Sequence, residues 1–364
     1  MARTHRILRG VTVVGAVVLI AGCGSGSGSS KAAPQTTSGL TVSTNPAPQA
    51  STATGGAASL QQAFVSVVAK VRPEVVKVTS TSQGTTDLGS GIIYDNQGDI
   101  VTNAHVVGTA KSFQVTFSGG QTASATLVGA YTGGDLAVVK VAGGKSLPLQ
   151  PATFGDSKAL QIGDITLAIG NPLGFASSVT EGIVSFNGRS VAESNSVTLP
   201  STVQTSAAIN PGNSGGALVD LNGDVIGIPT LAATDQQQGG TAAGIGFAIP
   251  SNTVKLIVPQ LISSGRVTNS GRAELGIRAG AGTGGGGQAS GVVVVTVVAG
   301  GPADKAGIKD GDLITAINGK PTPSLADLQD ILSTLTPGQG AKVTVQSQGG
   351  GGRPVNVTLG QLPG

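Results

Sequence analysis

The sequence contains few of the side chains from which several kinds of functional site are built. Among its 364 residues there are one cysteine, two histidines, nine aromatic residues and no tryptophan. A single cysteine forms no intrachain disulfide and no cysteine-based metal cluster. Few aromatic residues leave little to stack on nucleic-acid bases. The composition therefore argues against a zinc protein and a nucleic-acid platform, and we expect no metal and no cofactor.

The N-terminus has the pattern of an export signal. Three arginines precede an apolar stretch at residues 11–20, and Cys23 then ends the sequence Ile-Ala-Gly-Cys, which resembles a bacterial lipobox. We expect a signal peptide at residues 1–22 and a lipidated Cys23 that anchors the protein to the outer face of the cell membrane. An uncleaved anchor is the alternative, although the stretch is shorter than the roughly 20 residues of a span. Without the three arginines, 18 basic residues balance 18 acidic ones, so no electrostatic attraction to nucleic acid is indicated.

The rest of the chain is predicted to form a linker and two domains. Residues 23–58 are rich in Ser, Thr, Ala, Gly and Pro, as in a flexible linker. Residues 59–266 contain short Val-, Ile- and Thr-rich runs separated by Gly, Asn and Asp, which predict an all-β sandwich or barrel pair. Residues 267–364 predict a small α+β domain. Helices are predicted at residues 60–71, 251–263 and 324–335, the last with Ser324 as its N-cap, and a strand is predicted at residues 313–317.

Two motifs point to a serine nucleophile and a histidine base. Without the signal peptide the chain keeps one histidine, His105, which follows an alternating apolar run and is expected at the margin of a strand. The sequence Asn-Pro-Gly-Asn-Ser-Gly-Gly at residues 210–216 permits a tight loop whose backbone N–H groups face an oxyanion. Serine needs a neighbouring base to become a nucleophile. The alternatives are a structural histidine and an ordinary Gly-rich turn.

The order of residues along the chain selects the type of triad. Ser214 lies in a Gly-x-Ser-x-Gly sequence, but no histidine follows it and the next segment predicts a β-hairpin, which excludes the nucleophile elbow of esterases. The order His, Asp, Ser remains, with Asp135, Asp156 and Asp164 available in between. Asp135 opens an apolar strand, whereas the other two lie in turn sequences. We therefore predict that Ser214 attacks, His105 carries the proton and Asp135 orients the imidazole.

Further motifs accompany these candidates in order. They are Gly-Ser-Gly at residues 89–91, Thr-Asn-Ala-His at 102–105, Asp-Leu-Ala-Val at 135–138, Gly-Asn-Pro-Leu-Gly at 170–174, Thr-Glu-Gly-Ile-Val-Ser at 180–185 and Gly-Ile-Gly-Phe-Ala-Ile-Pro at 244–250. With the loop around Ser214, they resemble the HtrA/Deg family of trypsin-like serine proteases with one C-terminal PDZ domain. The resemblance implies two perpendicular six-stranded β-barrels with the triad in their cleft. It also implies an ATP-independent endopeptidase for misfolded or damaged envelope proteins.

The resemblance assigns further residues to the protease site. The backbone N–H groups of Gly212, Asn213 and Ser214, chiefly those of Gly212 and Ser214, are expected to form the oxyanion hole. A small apolar specificity pocket implies cleavage after Val, Ala or Leu. Its candidate lining residues are Ile209, Ile228, Pro229, Thr230 and Leu231. Activity is expected to depend on the ordering of loops, among them the segment at residues 169–178.

The C-terminal domain and the oligomeric state complete these expectations. Leu275, Gly276 and Ile277 resemble the loop that binds a peptide's C-terminal carboxylate, although a glycine tract at residues 280–287 departs from the family pattern. A PDZ fold that merely contacts the protease domain is the alternative. Family members commonly trimerise near the helix that contains Phe64, so a homotrimer is expected. The competing function is a chaperone or peptide-binding scaffold that holds clients without hydrolysis.

Overall fold

A computed structural model of the protein describes residues 53–82, 84–171, 178–192, 198–210, 212–235, 240–283, 289–347 and 351–362. The predicted signal peptide, Cys23, most of the linker and part of the glycine tract lie outside this set. No helix within these ranges is long and apolar enough to cross a membrane. The described residues form two closed β-barrels and a smaller α+β unit, which confirms the predicted fold class.

The first barrel is antiparallel and follows the N-terminal helix. Its strands are β1 (Val75–Ser82), β2 (Thr85–Ile93), β3 (Asp99–Thr102), β4 (Ser112–Thr116), β5 (Thr122–Tyr131) and β6 (Leu136–Val141), closed in the order β1-β2-β3-β6-β5-β4. Helix α1 spans Ala53–Val71, so it begins seven residues before the prediction. It ends where Pro73 enters a 3-10 turn at Arg72–Glu74, because proline cannot donate the next helical hydrogen bond.

The second barrel repeats this arrangement. It contains β7 (Ile165–Gly170), β8 (Ser178–Ala192), β9 (Thr198–Thr205), β10 (Ala217–Val219), β11 (Val225–Asp235) and β12 (Gly240–Pro250), closed in the order β10-β11-β12-β9-β8-β7. The predicted hairpin between β10 and β11 is confirmed, with Gly223 at a φ of +74°. Helix α3 (Ser251–Ser264) follows, and its buried Ile257 and Leu261 belong to a core shared with both barrels.

The C-terminal unit is a β-sheet covered by one longer helix. Its elements are β13 (Ala273–Glu274), β14 (Ile277–Thr283), β15 (Ala289–Val297), α4 (Pro302–Lys305), β16 (Leu313–Ile317), β17 (Lys320–Pro321), α5 (Leu325–Ser333), β18 (Gly340–Gln346), β19 (Gly352–Thr358) and β20 (Gly360–Gln361). Ser324 caps α5 as predicted, and with Asp327 it forms a reciprocal capping box. Leu328 and Ile331 of α5 are buried against the sheet.

Candidate active site

His105 lies on a short helix rather than at the end of a strand. Strand β3 ends at Thr102, and residues Ala104–Val107 form the one-turn helix α2. The prediction was wrong because Val106 and Val107 are consecutive buried residues that pack into the first barrel, which alternation along a strand does not allow. The His105 side chain is 45% exposed. Helix α2 therefore presents the imidazole at the surface while its apolar neighbours hold it to the barrel.

Asp135 binds both the backbone and the ring of His105. Its carboxylate oxygen Oδ1 accepts a hydrogen bond from the His105 amide at 2.9 Å, and Oδ2 lies 2.9 Å from His105 Nδ1. Asp135 is 2% exposed and has a left-handed backbone with φ +50°, a conformation that costs a non-glycine residue about 1 kcal/mol or more. The nearby Asn103 side chain donates to the Asp135 carbonyl at 3.0 Å. These contacts hold the carboxylate where it orients the imidazole.

The other two candidate aspartates stabilise turns. Asp156 accepts hydrogen bonds from the Lys158 amide at 3.0 Å and from the Asn252 side chain at 2.6 Å. Asp164 accepts one from the Gln161 amide at 2.8 Å. Both roles agree with the turn sequences in which these aspartates occur.

The loop that contains Ser214 depends on two glycines with positive φ. Gly212 has φ +108° and Gly215 has φ +80°, values that favour glycine. The Gly215 amide donates to the Pro229 carbonyl at 3.0 Å. The Asn213 amide donates to the Asn210 carbonyl at 3.0 Å and is thereby committed to the turn. This hydrogen bond corrects the expectation for Asn213 and leaves the Gly212 and Ser214 amides as the oxyanion-hole candidates.

Thr230 joins the serine to the aspartate. The Ser214 hydroxyl donates to the Thr230 carbonyl at 3.1 Å, and the Thr230 hydroxyl donates to Asp135 Oδ2. The structure therefore places Ser214, Thr230, Asp135 and His105 in one continuous set of contacts. Sequence reasoning assigned Thr230 to the specificity pocket and missed this position. The hairpin register could have indicated it, since extending the Leu218–Gly227 pair by four residues in each direction brings residue 231, the neighbour of Thr230, opposite Ser214.

The remaining pocket candidates have different environments. Ile228 is fully buried in the core shared by the barrels, so it does not line an open pocket, contrary to expectation. Ile209 is largely buried in the interior of the second barrel. Pro229 contributes its carbonyl to Gly215. Leu231 pairs with Phe247 in the β11–β12 ladder, and its side chain lies outside the described part of the structure.

The predicted peptide-binding loop of the C-terminal unit leads into a strand at the edge of the sheet. The Leu275 side chain is buried in the core of this unit, and Gly276 has φ +67°. Their carbonyls accept hydrogen bonds from the amides of Ala303 and Val298, at 2.8 and 2.9 Å. Ile277 then begins β14, which among the described strands is at one edge of the sheet and beside α5. An exposed strand edge of this kind is able to pair with an extended peptide.

The C-terminal unit contacts the loop that precedes Asp135. The Arg272 guanidinium donates to the Gly133 carbonyl at 2.9 Å. The hydroxyls of Ser190 in β8 and Ser333 in α5 lie 2.8 Å apart. A cavity of about 500 Å³ lies between the two units and is lined in part by Leu199, Leu256 and Leu335. Neither His105 nor Ser214 lines this cavity, so it is separate from the candidate site.

The described residues include no group of three or more His, Cys, Asp or Glu side chains placed to hold a metal ion. The chemistry that the site itself supports is nucleophilic. It requires a hydroxyl, a base oriented by a carboxylate, and backbone amides near the hydroxyl.

Comparisons with known proteins identify the two kinds of domain in this chain. A family model for the trypsin-like peptidase domain matches residues 89–228, and one for the PDZ domain matches residues 293–346. Serine protease PepD of Mycobacterium tuberculosis is 38% identical over 377 residues, which cover 97% of this chain and 78% of PepD. Periplasmic serine endoprotease DegP of Escherichia coli is 43% identical over 280 residues, which cover 75% of this chain and 56% of DegP.

A solved structure of the HtrA-type protease AlgW with a decapeptide is similar in both sequence and fold. It is 31% identical, with a TM-score of 0.60, and the match covers 83% of this chain and 99% of AlgW. In this chain, the two closed barrels form a trypsin-like protease domain that is followed by a PDZ domain. The chain therefore belongs to the HtrA family of trypsin-like serine proteases and is a serine endopeptidase with a C-terminal PDZ domain.

Proposed function

We propose that Ser214, His105 and Asp135 form the catalytic triad of this endopeptidase, with misfolded or damaged proteins of the cell envelope as its substrates. The contact that carries the proposal is the pair of hydrogen bonds from His105 to the buried Asp135 carboxylate, joined to Ser214 through Thr230. In this proposal the Ser214 hydroxyl attacks the peptide carbonyl. His105 takes the hydroxyl proton and gives it to the leaving amine.

Each remaining group of the site has a defined part in that reaction. The carboxylate of Asp135 keeps the Nδ1 proton of His105 in place and stabilises the imidazolium that forms. The amides of Gly212 and Ser214 donate to the oxyanion of the tetrahedral intermediate. The C–N bond breaks as the protonated amine leaves, and the acyl group stays on Ser214 as an ester. Water then attacks this ester, His105 takes the water proton and returns it to Ser214 Oγ as the ester bond breaks, and neither step consumes ATP.

The proposed location is outside the cytoplasm. Its support is the export signal at residues 1–22 and the periplasmic relative DegP. Lipidation of Cys23 would tether the body to the outer face of the membrane, with the residues between Cys23 and α1 as a spacer. Fractionation of cells that express wild type or Cys23→Ser tests the anchor. We expect the wild-type protein in the membrane fraction and the Cys23→Ser protein outside it, and equal fractionation of the two contradicts the proposal.

The PDZ domain is proposed to bind the C-terminal segments of substrates or activators. The edge strand β14 supports this, because a peptide added there would continue the sheet beside α5. The structure of the relative AlgW with a decapeptide adds support at the level of the family. We also propose a homotrimer, for which the expected light-scattering mass is three times that of the processed chain.

Digestion of denatured casein tests the triad against the alternative of a non-hydrolytic chaperone. We expect Ser214→Ala and His105→Ala to leave casein intact, and wild type to cleave it together with Ser146→Ala, a control at an exposed serine. Each protein is incubated with and without added C-terminal peptides, so that an enzyme that needs activation is also detected. Equal cleavage by wild type and Ser214→Ala would show that another residue is the nucleophile.

A further inference from the structure

Ser90 is a buried serine of the first barrel that faces the loop of the second barrel. It lies in β2, in the Gly-Ser-Gly sequence at residues 89–91, and it is fully buried. Side chains at its two glycine neighbours would collide with Val106 and Ile100. The strand therefore packs tightly on both sides of Ser90, and this leaves the serine little freedom to move.

Every polar atom of Ser90 takes part in a hydrogen bond. Its hydroxyl donates to the Gly212 carbonyl at 2.5 Å and accepts from the Asn171 amide at 2.8 Å. Its amide donates to the Ser214 carbonyl at 2.9 Å. Its carbonyl accepts from the Thr102 hydroxyl at 2.7 Å. Ser90 thus contacts the loop on both sides of the peptide unit that joins Asn213 to Ser214.

These contacts determine the orientation of two peptide planes. The plane after Gly212 is held by Ser90 at its carbonyl and by the turn at its amide, and the plane after Ser214 is held by Ser90 and Pro229. The Ser214 amide lies between these two planes. An oxyanion hole stabilises the transition state only when its donors are already oriented. The orientation of the two flanking peptide planes therefore determines how well the Ser214 amide stabilises the oxyanion.

We propose that Ser90 is a positioning residue for hydrolysis. Its hydroxyl holds the Gly212 carbonyl against the first barrel and thereby keeps the Ser214 loop in the conformation that stabilises the oxyanion. The same hydroxyl accepts a hydrogen bond from the amide of Asn171, the residue after β7, so one hydroxyl contacts both the Ser214 loop and the end of β7. The inference rests on the proposed triad, since it concerns the donors around Ser214. Ser90 itself does not contact the substrate.

Replacement of Ser90 by alanine removes both hydroxyl contacts and leaves two buried backbone groups without their partner. We expect kcat for a peptide with valine at the cleaved bond to fall by about 10- to 100-fold, the range associated with orphaned buried hydrogen-bonding groups. KM should change little, because the loss is specific to the transition state. Ser90→Cys, close in volume to serine and a weak donor, is measured in the same way and replaces Ser90→Ala if that variant does not fold.

Ser251→Ala is the matched control. Ser251 is also fully buried, and its hydroxyl also joins a glycine carbonyl to a nearby amide, at Gly155 and Ser157. Its partners are outside the Ser214 loop. We expect both alanine variants to lower the midpoint of thermal unfolding, but only Ser90→Ala to lower kcat by this factor.

A peptide aldehyde separates positioning from general destabilisation. Ser214 Oγ adds to the aldehyde carbon as its hydroxyl proton passes to His105, and the aldehyde oxygen of the resulting tetrahedral adduct occupies the oxyanion site. We expect Ser90→Ala to weaken inhibition by the aldehyde by the same factor as kcat, and to leave binding of the corresponding peptide alcohol unchanged. Equal kcat in Ser90→Ala and Ser251→Ala, or unchanged aldehyde inhibition, would overturn the inference. If instead Ser214→Ala retains full hydrolysis, the triad proposal is the one that fails.

Discussion

The buried carboxyl group of Glu74 makes the stability of the protease domain depend on pH. Glu74 ends the 3-10 turn between α1 and β1 and is 3% exposed. Burial raises its pKa from 4.5 to about 7, although the Lys70 ammonium and a hydrogen bond from Gln150 act in the opposite direction. The neighbouring Asp224 carboxylate raises the pKa further. Within the described residues, Glu74 Oε2 has no hydrogen-bond partner.

The direction of the pH dependence follows from the number of bound protons. Between pH 4.5 and about 7 the folded protein keeps a proton on Glu74 that the unfolded chain has lost. Stability therefore falls as the pH rises through this window, and it is constant above it with respect to this group. At about 1.4 kcal/mol for each unit of pKa difference, the upper limit of the loss is about 3 kcal/mol.

The substitution Glu74→Gln removes the charge and keeps the shape. We expect the variant to unfold at nearly the wild-type temperature at pH 5 and at a higher temperature at pH 8. An upper limit of about 3 kcal/mol corresponds to about 6–12 °C for a domain of this size. Thermal unfolding of the protease domain at both pH values measures the difference. Glu181→Gln, which removes an exposed carboxylate from β8, is the control. If the unfolding temperature changed by the same amount between pH 5 and pH 8 in wild type and in Glu74→Gln, the reasoning would be refuted.

Three further substitutions test the site and the PDZ domain. Thr230→Val removes a donor to the Asp135 carboxylate, and we expect kcat/KM for a peptide substrate to fall about tenfold or more; an unchanged value would contradict the role of this contact. Gly215→Ala places a methyl group against the Ser90 carbonyl at φ +80°, so hydrolysis should be lost and the unfolding temperature lowered. Ser324→Ala removes the cap of α5 and should destabilise the PDZ domain by about 1 kcal/mol, with peptide hydrolysis retained.

Local patterns in the sequence predicted most of the elements. The strand at Leu313–Ile317 and the N-cap of α5 at Ser324 are where periodicity and capping chemistry placed them. Helix α3 differs from its prediction by one residue. The error at His105 has a local cause as well, because a run that alternates along β3 continues into a single helical turn without a change in composition. Short helices have too few residues for their period to be recognised.

The sequence by itself determined which residues are available for chemistry. His105 is the one histidine outside the N-terminal stretch that has the pattern of an export signal, one Gly-rich loop contains Ser214, and Asp135 lies between them in the required order. Only the tertiary structure decided how these groups meet. The carboxylate of Asp135 binds His105 across 30 positions, Thr230 reaches Asp135 across 95, and Ser90 reaches Gly212 across 122. The first contact depends on the closure of the first barrel, and the other two depend on the packing of the two barrels against each other. No pattern within one short segment encodes the distance between atoms so far apart in the chain.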